Sequence, residues 1–246
     1  MERFYEKIVV TKGICEVFRY ERLNTKGGGA REGDGEFSDA NYKQSQRRRR
    51  NTIRQLICSN FDAGSKFVTL TFKNGIGFEI TDVQACNGYF KKFVLRLKRR
   101  YPELRYVAVV EFQDKNGRGA VHYHMICNLP YIKKEELASI WAGGFVKVNA
   151  IDKVDNVGAY VIKYMTVDMD DKRLVGQNAY LHSKGLEKPV ELATWRQDSI
   201  EAWQDIHNAL ENEKPSYEAT YESEVAGRCE YRQYNFNRKV ILKQTD

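Results

Sequence analysis

The sequence predicts an α+β fold, one mainly antiparallel sheet covered by helices. Three observations carry this. Apolar residues alternate in some stretches and recur at helical spacing in others. Between residues 66 and 165 the elements run β-α-β-β-α-β-α. Two of the strands are separated only by the polar stretch Gln113–Gly119, which puts a hairpin at the centre of the sheet. A chain of 246 residues, 42% hydrophobic and 12% aromatic, can bury the core of one large or two small domains and is too apolar for disorder.

The elements follow in order. Lys7–Thr11 and Ile14–Tyr20 read as short strands joined at Lys12-Gly13. Asn24–Ser38 is Gly-rich and polar; without a Gly-Lys-Ser/Thr ending it reads as a loop and not as an ATP site. Tyr42–Asn60 reads as a helix, with Ile53, Leu56, Ile57 and Phe61 at helical spacing and a basic patch at Arg47–Arg50. Lys66–Phe72 is β-branched and aromatic between glycine-containing turns, hence a buried strand. Asp82 caps a helix to about Arg100, its stripe of Phe90, Phe93, Val94 and Leu97 set apart from Lys91, Lys92, Arg96, Lys98 and Arg99. Tyr106–Phe112 and Ala120–Cys127 form the hairpin. Lys133–Ile140 is a short helix, Phe145–Asn149 a strand and Asp155–Met165 a helix. A helix near 193–210 and strands near 217–225 and 230–236 complete the chain. The segments divide as 1–40 (strands and loop), 41–190 (main domain) and 191–246 (acidic C-terminal section).

Charge is distributed unevenly. Residues 41–100 carry 14 Lys and Arg against Asp62, Glu79 and Asp82, a net of +11, within a chain whose total is +7. Residues 187–230 carry 11 acids and four bases, a net of −7. A basic front half suits a polyanion; the bland reading is a set of solvated helix faces. No apolar run approaches the roughly 18 residues of a membrane span, and the N-terminus shows no signal-peptide core. The five cysteines lie far apart with no CxxC pair, which argues against a zinc knuckle and for free thiols in a reducing cytoplasm.

Chemistry concentrates in two places. In Val121-His122-Tyr123-His124-Met125 the side chains alternate, so both imidazoles project from one face, about 7 Å apart along the strand. A hairpin loop centred between Asn116 and Gly117 sets Glu111 opposite His122, with Cβ atoms within about 5.5 Å. Two imidazoles and a carboxylate suit Mg²⁺ or Mn²⁺ with positions open for a phosphate oxygen. The plain alternative is an exposed His-x-His pair beside a solvated Glu. In Tyr160-Val-Ile-Lys163-Tyr164 two phenols and an ammonium share one helix face. Such tyrosines more often pack on a core, but a nearby cation and a metal-activated electrophile would make a phenol a usable nucleophile.

The chain resembles the HUH-type rolling-circle replication initiators of phages and small plasmids. Phe67-Val-Thr-Leu-Thr-Phe72 is similar to their first motif, His122-Tyr-His124 to the metal motif, and Tyr160-Val-Ile-Lys163-Tyr164 to the catalytic-tyrosine motif. Tyr106-Val-Ala-Val-Val-Glu111 resembles the strand supplying the third ligand, and Tyr180–Pro189 the segment that follows the tyrosine helix in phage-type members. The likeness covers about residues 41–190. It implies the HUH endonuclease, RRM-like fold, and a nick in single-stranded origin DNA, usually at a hairpin. Glu111, His122 and His124 would hold Mn²⁺ or Mg²⁺, Tyr160 would attack the phosphate, and Lys163 would assist. Tyr164 would at most serve a second transfer. Arg47, Arg48, Arg49, Arg50, Lys91, Lys92, Arg96 and Arg99 would contact DNA. A host helicase and replication machinery would be partners, in the cytoplasm and away from membranes. The alternatives are a single-tyrosine HUH transposase and a non-catalytic basic DNA-binding protein.

Overall fold

The computed structural model describes residues 4–23, 39–114, 117–151, 156–165, 171–178, 180–196, 200–223 and 226–236; of residues 39–46, 164 and 165 it describes the backbone alone. Two compact units result, residues 42–187 and residues 1–41 with 188–246.

The larger unit is built on an antiparallel sheet of order β6-β3-β5-β4-β7. Its strands are β3 (Lys66–Thr71), β4 (Tyr106–Gln113), β5 (Ala120–Cys127), β6 (Val146–Ala150) and β7 (Tyr180–His182). Alternation sorts the side chains onto two faces. On one, Val68, Leu70, Ala108, Val110, Tyr123 and Met125 meet helices α2 (Val83–Arg100) and α3 (Lys134–Trp141). Helix α2 begins where Asp82 accepts from the backbone N–H groups of Gln84 (2.8 Å) and Ala85 (3.2 Å), satisfying two otherwise unpaired donors. It buries Phe90, Phe93 and Leu97, each removal from water being worth about 1.5–3 kcal/mol. On the other face, Phe67, Val107, Val109 and Ile126 meet helices α1 (Asp39–Asn60) and α4 (Val157–Met165) through Ile53, Ile57, Val157 and Val161. The two faces therefore have different helices, and only the α1/α4 face carries the odd residues of β4 and the even residues of β5.

The smaller unit is a second antiparallel sheet, of order β8-β1-β2-β10-β9. Here β1 is Tyr5–Val10, β2 Ile14–Tyr20, β8 Val190–Ala193, β9 Tyr217–Ser223 and β10 Gly227–Asn235. Helix α5 (Ile200–Leu210) covers one face, with Leu210 and the half-buried Trp203 and Ile206 packed on Ile8, Val17 and Leu192.

The single central sheet expected from the sequence is thus corrected to two five-stranded sheets. The reason is partner choice. Strand β1 pairs with β8 and β2 with β10, across more than 170 residues, and periodicity identifies a strand without naming its neighbour. The short β7 and β8 lie inside a stretch whose polar, Gly- and Pro-containing composition conceals them. The five cysteines are free and buried.

Candidate metal centre

The register of the hairpin decides the site. Glu111 on β4 is directly paired with His122 on β5, and His124 projects from the same face two residues on. One ligand atom from each of Glu111, His122 and His124 lies within 4.8 Å of the others. The Glu111 Oε2 oxygen hydrogen-bonds His124 Nε2 and lies 3.8 Å from His122 Nδ1. The imidazoles are tilted at 42° with centroids 4.9 Å apart.

Strand β3 holds the rings in place. It pairs with β5 on the side opposite β4, and its register sets Thr71 beside His122 and Thr69 beside His124. The Thr71 hydroxyl lies 3.0 Å from His122 Nε2, and the Thr69 hydroxyl 3.3 Å from His124 Nδ1. A cation held by the cluster would require each hydroxyl to accept a ring N–H, which would leave the lone pair of each imidazole on the nitrogen that faces Glu111. The Phe67 ring stacks on His124 at 5.5 Å and 4°. Burial, then the neighbouring His124, push the His122 imidazole from 6.5 down to about 4, with Glu111 opposing and Arg118 adding to the fall. The ring is therefore neutral at pH 7 and binds a cation without first shedding a proton. Two imidazole nitrogens and a carboxylate oxygen converging from two strands are a donor set that fits a divalent ion. Arg118 secures the hairpin end, donating to Phe72 O (2.5 Å), Asn74 Oδ1 (3.2 Å) and Gln113 Oε1 (2.9 Å).

Helix α4 lies against β4 and β5, the strands that carry the cluster. Its N-terminus is capped by the buried Asn156, whose Oδ1 accepts from Ala159 N at 2.9 Å. Val157 and Val161 are buried, Tyr160 is half-buried beside them, and Lys163 is exposed. The backbone of Tyr164 continues the helix, but its side chain lies outside the described residues.

The basic residues separate by face. Arg47, Arg48, Arg49 and Arg50 are exposed on α1, the helix on the histidine face. Lys91, Lys92 and Arg99 are exposed on α2, on the reverse face of the sheet. Arg96 is half-buried and donates to the carbonyls of Ile140 (2.9 Å) and Trp141 (3.2 Å). Those bonds close the C-terminal end of α3, a structural use for a side chain that helical spacing alone grouped with the free cations.

The sequence reading missed several of these residues. Thr69 and Thr71 share the i, i+2 spacing of the histidines, which was a usable signal, although their pairing with β5 was not. Gly158 gave no signal. A Cβ there would sit 2.8 Å from the Arg54 carbonyl of α1, so the glycine lets α4 approach α1 closely. Gly158→Val is expected to cost roughly 1–3 kcal/mol of stability, as overpacking does, and to misplace Tyr160 while sparing the cluster. Urea unfolding, with Mn²⁺ titration calorimetry in parallel, checks this; unchanged stability would show that the helices give way freely.

No curated protein and no solved structure matches the chain. The family model of the replication-associated protein, of the ORF2 and gene 2 protein type, matches residues 65–169. That stretch begins just before β3, contains Glu111, His122 and His124, and ends just beyond α4. Over that segment, less than half of the chain, the protein is similar to the replication-associated protein family.

Proposed function

We propose that this protein starts rolling-circle replication by nicking single-stranded origin DNA and becoming attached to it through a tyrosine. The observation that carries the reading is the Glu111–His122–His124 cluster on the sheet face that α4 covers. A non-catalytic DNA-binding protein has no use for three such ligands within 4.8 Å of one another.

In this reading Glu111, His122 and His124 hold Mn²⁺ or Mg²⁺. When bound, the cation polarises the scissile phosphate and fixes its orientation. The Tyr160 hydroxyl attacks phosphorus, the P–O3′ bond breaks, the phenolic proton is released to solvent, and the departing oxygen takes up a proton. The products are a 5′-phosphotyrosine and a free 3′-OH for the polymerase. Because one ester replaces another, the strand can be rejoined without ATP. Lys163 stands one turn from Tyr160 and offers a positive charge where the phosphorane becomes more negative. Tyr164 serves at most a later transfer.

The arginines of α1 grip the backbone of the incoming strand. Neutralising Arg47–Arg50 is expected to weaken binding across all sequences and to flatten its salt dependence by roughly 0.7 per lost contact on a single strand. Anisotropy of labelled oligonucleotides at several salt concentrations measures this. Unchanged affinity at low salt would reduce the four arginines to a solvated helix face. Unwinding falls to a host helicase.

The decisive test is incubation with origin DNA and Mn²⁺, followed by denaturing electrophoresis and mapping of the ends. A metal-dependent covalent adduct on the 5′ side is expected. Binding without cleavage in every metal would leave a non-catalytic DNA-binding protein.

A further inference from the structure

At the β7 edge of the sheet, α2 and the chain around β7 form two adjoining open clefts of about 340 and 400 Å³. They share Lys91, Asn178 and Leu181 as walls. We infer that this is a nucleotide subsite, taking one unpaired nucleotide of the DNA strand with its base against the amides and its phosphate at Lys91. The inference rests on the reading of this protein as one that handles single-stranded DNA, and it adds a second point of contact outside the metal centre.

The α2 wall is built at helical spacing from Gln84, Asn87, Gly88 and Lys91, positions i, i+3, i+4 and i+7 of one face. Asn87 is only 6% exposed. Its Oδ1 accepts the Tyr123 hydroxyl at 2.7 Å, which turns the amide so that Nδ2 is the free end; among the described residues nothing accepts from it. That donor is not closed off from solvent, so it is open to an acceptor in the cleft that Asn87 lines. The Lys91 ammonium likewise has no partner among the described residues. Gly88 is the third sign. A mid-helix glycine costs roughly 1 kcal/mol relative to alanine, yet a Cβ at Gly88 would meet nothing within 4 Å. No packing demands the glycine, and its effect is to leave this wall open.

The opposite wall is fixed in place. Arg173 makes paired bonds to Asp114 (2.8 and 2.6 Å) and to Asp171 (2.8 and 2.6 Å), and its guanidinium lies 3.6 Å from the centre of the Phe112 ring. Gln177 N then donates to the carbonyl of the buried Leu174 at 2.9 Å, which sets Gln177 and Asn178 at the rim. Beyond them, where the cleft passes over the edge strand, Tyr180 and His182 stack at 5.4 Å and 30° on the side of β7 that belongs to the histidine face. Amide side chains read base edges, lysine pairs with phosphate as a point charge, and rings at a rim suit a splayed base. Strand β7 pairs with β4, the strand that carries Glu111, so a strand leaving the metal face over this edge reaches the cavity.

The test uses the full-length protein and single-stranded oligonucleotides carrying 5-iodouracil at successive positions. Ultraviolet crosslinking with peptide mapping is expected to place one position on residues 84–91 or 177–182. Gly88→Leu, which fills the cavity, should abolish that crosslink and weaken strand binding about ten-fold by anisotropy. Gln84→Ala with Asn178→Ala, both on the surface, should weaken it about three-fold or more with an unchanged melting temperature. Crosslinks that map elsewhere, or affinity untouched in both variants, overturn the subsite even when metal-dependent nicking is intact. Crosslinking here by a protein that never nicks retains the subsite and rejects the nicking reading. Loss of the crosslink on adding millimolar dAMP, with strand affinity unchanged, assigns the cavity to a free nucleotide and overturns the strand assignment.

Discussion

Tyr160→Phe is expected to abolish the covalent protein–DNA adduct, a loss of at least about 1,000-fold, since no other oxygen replaces the nucleophile. The substitution removes one hydroxyl from a half-buried ring and keeps its contacts with the α1/α4 core. Stability should change by no more than about 1 kcal/mol, and both DNA and Mn²⁺ should still bind. Lys163→Ala should slow cleavage by roughly 100-fold, the scale seen when one positioned group facing a developing negative charge is removed. Tyr164→Phe should leave the first cleavage largely intact. Denaturing electrophoresis with end-labelled oligonucleotide reads all three, and peptide mapping of the trapped adduct identifies the attached residue. A nucleotide found on Tyr164, or on no tyrosine, would falsify the assignment.

Removing both imidazoles with His122→Ala and His124→Ala should eliminate Mn²⁺ binding by calorimetry and lower metal-dependent cleavage by at least about 1,000-fold. Neither ring belongs to the two apolar clusters of the larger unit, so the fold should persist by circular dichroism. Thr71→Val and Thr69→Val test the residues behind the ligands, and each should cost about 10–100-fold in metal affinity, the usual scale for partners of ligating histidines. The pH dependence has a definite sign. The folded His122 imidazole titrates at about 4 and the unfolded one at 6.5, so proton competition at this ring is absent near pH 7 and grows only as the pH falls toward 4. The lowered value also means that its contribution to stability is complete above about 6.5 and is progressively lost between 6.5 and 4. Full cleavage by the double variant, or in excess chelator, would remove the metal centre from the mechanism.

Much of the centre was legible because strand chemistry is local. A two-residue period places His122 and His124 on one face whatever surrounds them, and the short connection from Gln113 to Ala120 leaves few registers that pair Glu111 with anything but His122. Helical spacing likewise joins Tyr160 to Lys163. Arg96 shows where such reasoning ends. Its side chain has the composition of a phosphate contact and the position of one, yet it closes the end of α3, because unpaired carbonyls at a helix terminus attract the nearest long donor.

By itself the sequence determined the order of elements between residues 66 and 165, the face that carries both histidines, and the family signature. Local sterics and side-chain alternation act over a few residues and are written directly into the chain. Only the tertiary structure decided that the first and last strands form a second sheet, that the α2 cations stand behind the histidines and the α1 arginines on their side, and that Thr69 and Thr71 orient the rings. These depend on which apolar faces meet across 50 to more than 200 residues. That choice is set by how the whole chain best buries its nonpolar surface while pairing its backbone.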